Sequence, residues 1–249
     1  MSTSPDTVGA RPGLSNIVDI IVSPNAAFDR FRAVPTWGWA FLVATLLGII
    51  GALIVGPAVA HALDASLPAQ LAANDQIAKL SPADQQKQIA AIMSMTKTIT
   101  RLSWLIVPVI ILVAGLVQAL LMLIANAAGH GDGSFKKFFA LSITVAVVGE
   151  GLRSIVLAII VLLQGVNSFD NATSLQYSVV PGLSTLVPGA HGPLQGFLGA
   201  FNVFYLWAAA LLGFGMIRVA RIPRVTAWAT ALVILLVTAA FFAFGAKNS

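Results

Sequence analysis

Apolar residues dominate five stretches of this chain, at about 37–61, 103–128, 138–163, 197–219 and 225–246. Each is long enough to cross a bilayer as one helix, which takes roughly 20 residues. The pattern therefore predicts an all-α polytopic membrane protein, a bundle of five transmembrane helices. In the middle of the third stretch stands Val148-Gly149-Glu150-Gly151-Leu152-Arg153-Ser154, where ionisable residues fall deep inside an apolar run. Spaced three apart, Glu150 and Arg153 share a face of an α-helix and are expected to neutralise each other near the bilayer midplane. Gly149 and Gly151 remove bulk on either side, which suits a hinge or close helix packing.

Ahead of the first span, residues 14–31 have a different rhythm. Leu14, Ile17, Val18 and Ile21 recur at helical spacing with Asn16 and Asp19 between them, and Ser23-Pro24-Asn25 restarts a second short helix. With Phe28 and Phe31 turned to lipid and Asp29, Arg30 and Arg32 to water, these would be amphipathic helices lying on the membrane surface. Residues 1–36 thus form a cytoplasmic tail plus interfacial helices, and 37–249 a five-span membrane domain. Residues 1–13 are expected to be a disordered tail without a cleavable signal, leaving the first span as targeting signal. Trp37 and Trp39 anchor that span at the interface. In the long loop that follows, Ser81-Pro82-Ala83-Asp84 is a helix start. It leads into a helix continuing into span two, which Pro108 is expected to kink. Gln118 and Asn202, inside spans two and four, are candidates for polar contacts within the bundle. The Pro/Gly/Ser-rich stretch 164–196 is too broken to span and is expected to cover the bundle or dip into the interface.

Composition agrees: 58% of residues are hydrophobic and 9% charged, against roughly 25% charged in a soluble domain. The net charge of +5 does not point to nucleic acid, because no basic run exceeds two residues. Counting Lys and Arg by side orients the chain instead. One side takes Arg11, Arg30, Arg32, Lys136, Lys137, Arg218, Arg221 and Arg224; the other takes Lys79, Lys87, Lys97, Arg101 and Lys247. The amino terminus is therefore expected inside and the carboxy terminus outside.

Little enzymatic chemistry is visible. The chain has no cysteine, which excludes disulfides, thiolate metal sites and cysteine catalysis. His61, Asp64 and His191 fall on the outer side, yet two histidines and one acid make a poor zinc set. No nucleophile elbow is present, the glycine turn before Phe135 lacks phosphate-loop spacing, and no catalytic residue, metal or cofactor is expected. The Asn171-Ala172-Thr173 sequon matters only if the outer face is a secretory lumen.

Several landmarks together resemble the Yip family of five-span membrane proteins, first known as Rab-GTPase-interacting proteins, and its bacterial members especially. They are the Ser23-Pro24-Asn25-Ala26-Ala27-Phe28 box before Pro35-Thr36-Trp37, and the glycine turn leading to Ser134-Phe135-Lys136. The run Phe201-Asn202-Val203-Phe204-Tyr205-Leu206-Trp207 before Leu211-Leu212-Gly213-Phe214-Gly215 is another, as is the order of spans. The resemblance implies five helices, oligomerisation and a role at membranes rather than catalysis; in eukaryotic relatives that role lies in vesicle traffic. The long soluble amino-terminal region and the Asp-Leu-Tyr-Gly-Pro box of those relatives are missing, so Rab-type GTPase binding does not carry over. The Ala-rich, cysteine-free composition suggests a bacterial inner-membrane protein. The leading expectation is a non-enzymatic scaffold in the lipid bilayer, acting through self-association or other membrane proteins. The alternative is a small transporter or channel with Glu150 and Arg153 lining a midplane path, which a cleft reaching Glu150 would favour.

Overall fold

The computed structural model describes residues 13–187 and 189–246; Arg11, Lys247 and nearly all of the tail 1–13 lie outside them. Two short helices, α1 (Leu14–Val22) and α2 (Pro24–Ala33), precede α3 (Gly38–Ala72). A single turn, α4 (Asp75–Ala78), reverses the chain into α5 (Pro82–Leu102), which runs on through a tight 3-10 turn (Ser103–Ile106) into α6 (Val107–Ala128). Ser81 caps α5, its Oγ accepting from the Asp84 amide at 3.3 Å. Pro108 stands at the start of α6 directly after the 3-10 turn. It cannot donate to an i−4 carbonyl, and the tighter turn takes the place of the expected kink.

The third span is α7 (Phe135–Ala146), a π-helical segment (Val147–Leu152) and α8 (Arg153–Gln164). After it, α9 (Ala172–Tyr177), α10 (Leu183–Leu186) and α11 (Gly192–Gly199) fold over the bundle, and α12 (Val203–Ala220) and α13 (Arg224–Gly245) complete it. Among the described residues, five helical segments are long and apolar enough to cross a membrane: Gly38–Ala72, Pro82–Ala128, Phe135–Gln164, Val203–Ala220 and Arg224–Gly245. The protein is all-α and polytopic. Val203, not Phe197, opens the fourth span. Asn202 ends the apolar run's continuity by capping α12, its Oδ1 accepting from the amides of Phe204 and Tyr205 at 3.0 and 3.2 Å.

The bundle has a basic end and a distal end. At the basic end the turn between α6 and α7 is packed to the backbone: a Cβ on Gly131 would lie 2.7 Å from the Ala220 carbonyl oxygen, and one on Gly133 would overlap the Phe138 ring. Asp132 in that turn meets Arg32 of α2 at 3.7 Å and Arg221 of the α12–α13 hairpin at 3.6 Å. Its amide donates to the Ala220 carbonyl at 2.8 Å. Phe28 and Phe31 do not face lipid. Both are fully buried in the main core with Phe138, Leu141, Met216 and Ile222. Lipid and protein interior are equally apolar, so periodicity alone could not choose between them. Asn16 and Asp19 likewise turn to α2, where both bond Arg30, the Asn16 contact being 2.6 Å. What α1 leaves outward is Leu14, Val18 and Val22, the last two 59% and 69% exposed.

Candidate functional site

The third span bends its chemistry toward the distal end through its π-helical turn. There Gly149 and Gly151 let neighbours approach: a Cβ on Gly149 would be 3.3 Å from Ala208, and one on Gly151 3.0 Å from Leu47. A π turn is wider than an α turn and recurs at functional sites. It also rotates Arg153 away from the α-helical i+3 position beside Glu150. The direct pair expected from spacing is not formed. Among the described residues, the ion pairs are those of Asp19, Asp64 and Asp132.

Tyr205 of α12 takes its place. Its hydroxyl donates to Glu150 Oε1 at 2.8 Å, while the Arg153 guanidinium lies 5.5 Å from the centre of its ring, within cation–π range. Arg153 Nη2 donates to the Gln176 carbonyl at 2.7 Å, tying α8 to α9. Glu150 is half-buried, and Arg153 is only 9% exposed with Nε buried and without a partner.

Depth follows from helix rise. Arg153 lies about 18 residues beyond Phe135, hence at most about 27 Å along the third span. Tyr205 agrees, being the third residue of α12 from its distal end. The two charged residues therefore stand in the distal half of the bundle.

Around this pair the distal segments are knit by hydrogen bonds. Asn171 Oδ1 accepts from the amides of Thr173 and Ser174 at 2.9 and 3.0 Å, so the sequon side chain serves as the cap of α9. Gln195 Nε2 donates to Ser174 and Ser178 at 3.1 and 2.8 Å, and Ser184 Oγ donates to the Tyr177 carbonyl at 2.5 Å. Burial pushes the Tyr177 phenol up from its ordinary value against a weaker opposing pull from Arg153. Asn202 is buried and also donates to the Gly199 carbonyl at 2.8 Å, which makes it a helix cap rather than a mid-span contact. Gln118 is half-buried on α6 and, among the described residues, bonds no other helix.

His61, Asp64 and His191 are put to separate uses. His61 Nδ1 lies 3.3 Å from the Phe169 carbonyl, Asp64 pairs with Lys97 at 2.9 Å, and His191 precedes α11. Among the described residues no three His, Cys, Asp or Glu side chains gather as a metal site.

A cleft of about 420 Å³ between α3, the α5–α6 junction and α8 reaches Glu150 and Arg153. On its basic side Ala40, Ala44, Ile111, Ile143 and Val147 belong to one buried apolar cluster. Tyr205 is the partner that sequence reasoning missed. It stands in the aromatic run after Asn202, but nothing local signals a partner 55 residues away.

Comparison with known proteins fits this architecture. A membrane protein of Bacillus subtilis (strain 168), YknW, is 25% identical over 237 residues, covering 94% of this chain and 91% of the relative. No solved structure matches. The Yip1 domain matches residues 18–246, from within α1 to the end of α13, and the chain belongs to that family of membrane proteins.

Proposed function

We propose that this protein is a non-enzymatic scaffold of the bacterial cytoplasmic membrane, which organises the bilayer by helix association and by holding partner proteins, further copies of itself included. The observation that carries the reading is α5. Every one of its 21 residues is at least partly exposed, and Met95 and Ile99 are 65% and 57% exposed. Pro82–Ala128 is 47 residues long, about 70 Å, so α5 and the end of α3 project well beyond a layer about 30 Å thick. A helix of this length gains little stability by itself in water, and a partner would supply the missing packing. The charged groups at the distal end are engaged in tying α8 to α9 and α12, as expected of a rigid platform.

The basic end is taken as cytoplasmic. Arg30, Arg32, Lys136, Lys137, Arg218, Arg221 and Arg224 gather there in short segments, the pattern of cytoplasmic loops. The cleft of about 420 Å³ that reaches Glu150 and Arg153 is the observation that favours the second reading, a small transporter or channel with these two residues along its path.

Photo-crosslinkers placed singly at Met95 and Ile99 in living membranes test the proposal. A scaffold gives a discrete protein adduct that disappears on Met95→Glu with Ile99→Glu. No adduct across a scan of α5 and the outward face of α6, together with solute flux in proteoliposomes, would overturn it in favour of transport.

A further inference from the structure

The cleft that reaches Arg153 adjoins a second, of about 430 Å³, and the two share Ala52, Gly56, Thr100 and Ser103. Together they run from the Asp64–Lys97 pair at the distal rim to Glu150 and Arg153. Three features of this groove point to its occupant. Arg153 is nine-tenths buried, yet its Nε has no acceptor, and a buried charged donor left unsatisfied is costly. Glu150 lines the same cleft, and only its Oε1 receives a hydrogen bond from the protein. A carboxylate and a guanidinium therefore line one cleft. Finally, the deeper wall is apolar, with Ile106, Val107, Ile110 and Ile111, and Ile106 and Ile110 are about half exposed on the lipid-facing side. A small soluble zwitterion would make no use of that wall, and an anionic lipid would meet the Glu150 carboxylate unmatched.

We infer that the groove seats one zwitterionic phospholipid of the distal leaflet. Its phosphate lies against the Arg153 guanidinium, its ammonium lies against Glu150, and one acyl chain follows Ile106, Val107 and Ile110. The position fits a distal-leaflet lipid, since Arg153 stands in the distal half of the third span and Tyr205 is the third residue of α12 from its distal end. This goes beyond the scaffold reading and does not rest on it, because that reading is tested by adducts on α5.

The test is native mass spectrometry of the full chain purified in mild detergent with equal phosphatidylethanolamine and phosphatidylglycerol. One phosphatidylethanolamine per chain, retained at least tenfold over phosphatidylglycerol, is expected. Gly56 lines both clefts and a Cβ there meets nothing within 4 Å, so Gly56→Leu puts bulk into the groove with room for its first carbon. It should lower retention at least tenfold while the protein stays monodisperse. Ile110→Trp, which blocks the groove from its exposed side, should do the same and guards against a folding defect in the first variant. Glu150→Gln should bring the two lipids toward parity. Equal retention of both lipids by the unsubstituted protein, or full retention by both groove-filling variants, overturns the proposal. Displacement of the lipid by millimolar free phosphoethanolamine would identify a soluble-headgroup site and also overturn it.

Discussion

Phe28→Ala separates a helix that rests on the membrane from one that is part of the bundle. Phe28 is fully buried beside Phe31, Phe138, Met216 and Ile222, between α2, α7 and α12. Truncating it leaves a ring-sized void that packed helices cannot close, and such losses typically cost about 3–5 kcal/mol. For a chain of this size, each kcal/mol moves the melting temperature by roughly 2–4 °C, so a fall of about 6–20 °C is expected. The assay is size-exclusion after heating in detergent, where an interfacial side chain has no bilayer to lose. Because the chain has no cysteine, Phe28→Cys gives an independent reading with a membrane-permeant maleimide. The buried side chain should react slowly until the protein is heated. A melting temperature unchanged within two degrees, with rapid labelling at 25 °C, would refute the placement of α2 in the core.

Other outcomes follow from the same contacts. Tyr205→Phe removes the hydroxyl from Glu150 and should cost about 1.5–3 kcal/mol, the usual worth of a hydrogen bond to a charged group, whereas Glu150→Gln, whose amide oxygen can still accept, should cost less in the same melt. Gly133→Ala should abolish folded yield, since the new methyl overlaps Phe138 and lies 2.8 Å from the Ala220 methyl; a normal elution profile would show that the turn can shift. Asp132→Asn should change stability by less than about 1 kcal/mol, because both arginine contacts are exposed and long, and the small effect should vanish at high salt.

The spans were legible because a run of some 20 apolar residues has few other uses, and the start of α5 because Ser-Pro-x-Asp carries its own capping chemistry. Partners and depth were not. Glu150 and Arg153 looked paired because i, i+3 assumes an α-helix, and the π turn between them breaks that assumption. Their midplane depth was inferred from the middle of an apolar run, whereas Tyr205, the partner of Glu150, is the third residue of α12 from its distal end. Asn202 looked like a polar residue inside span four because apolar residues continue on both sides of it. Only its hydrogen bonds to Phe204 and Tyr205 reveal a boundary. In the amino-terminal helices, period 3.6 marked the apolar faces but could not say which would meet lipid and which would meet α12.

The pocket that receives Phe28 and Phe31 also has a history in time. It does not exist until α7 and α12 have both been synthesised, roughly 190 residues after α2 leaves the ribosome. At about 5–20 residues per second this is a wait of about 10–40 s. Throughout it, two phenylalanines and the α1 stripe have only the membrane surface to rest on, with Arg30 and Arg32 against its headgroups. A surface-bound helix pair of the kind that the sequence suggests is therefore expected of the nascent chain. A chain arrested after α8 should label readily at a cysteine placed at position 28, and the finished chain should not.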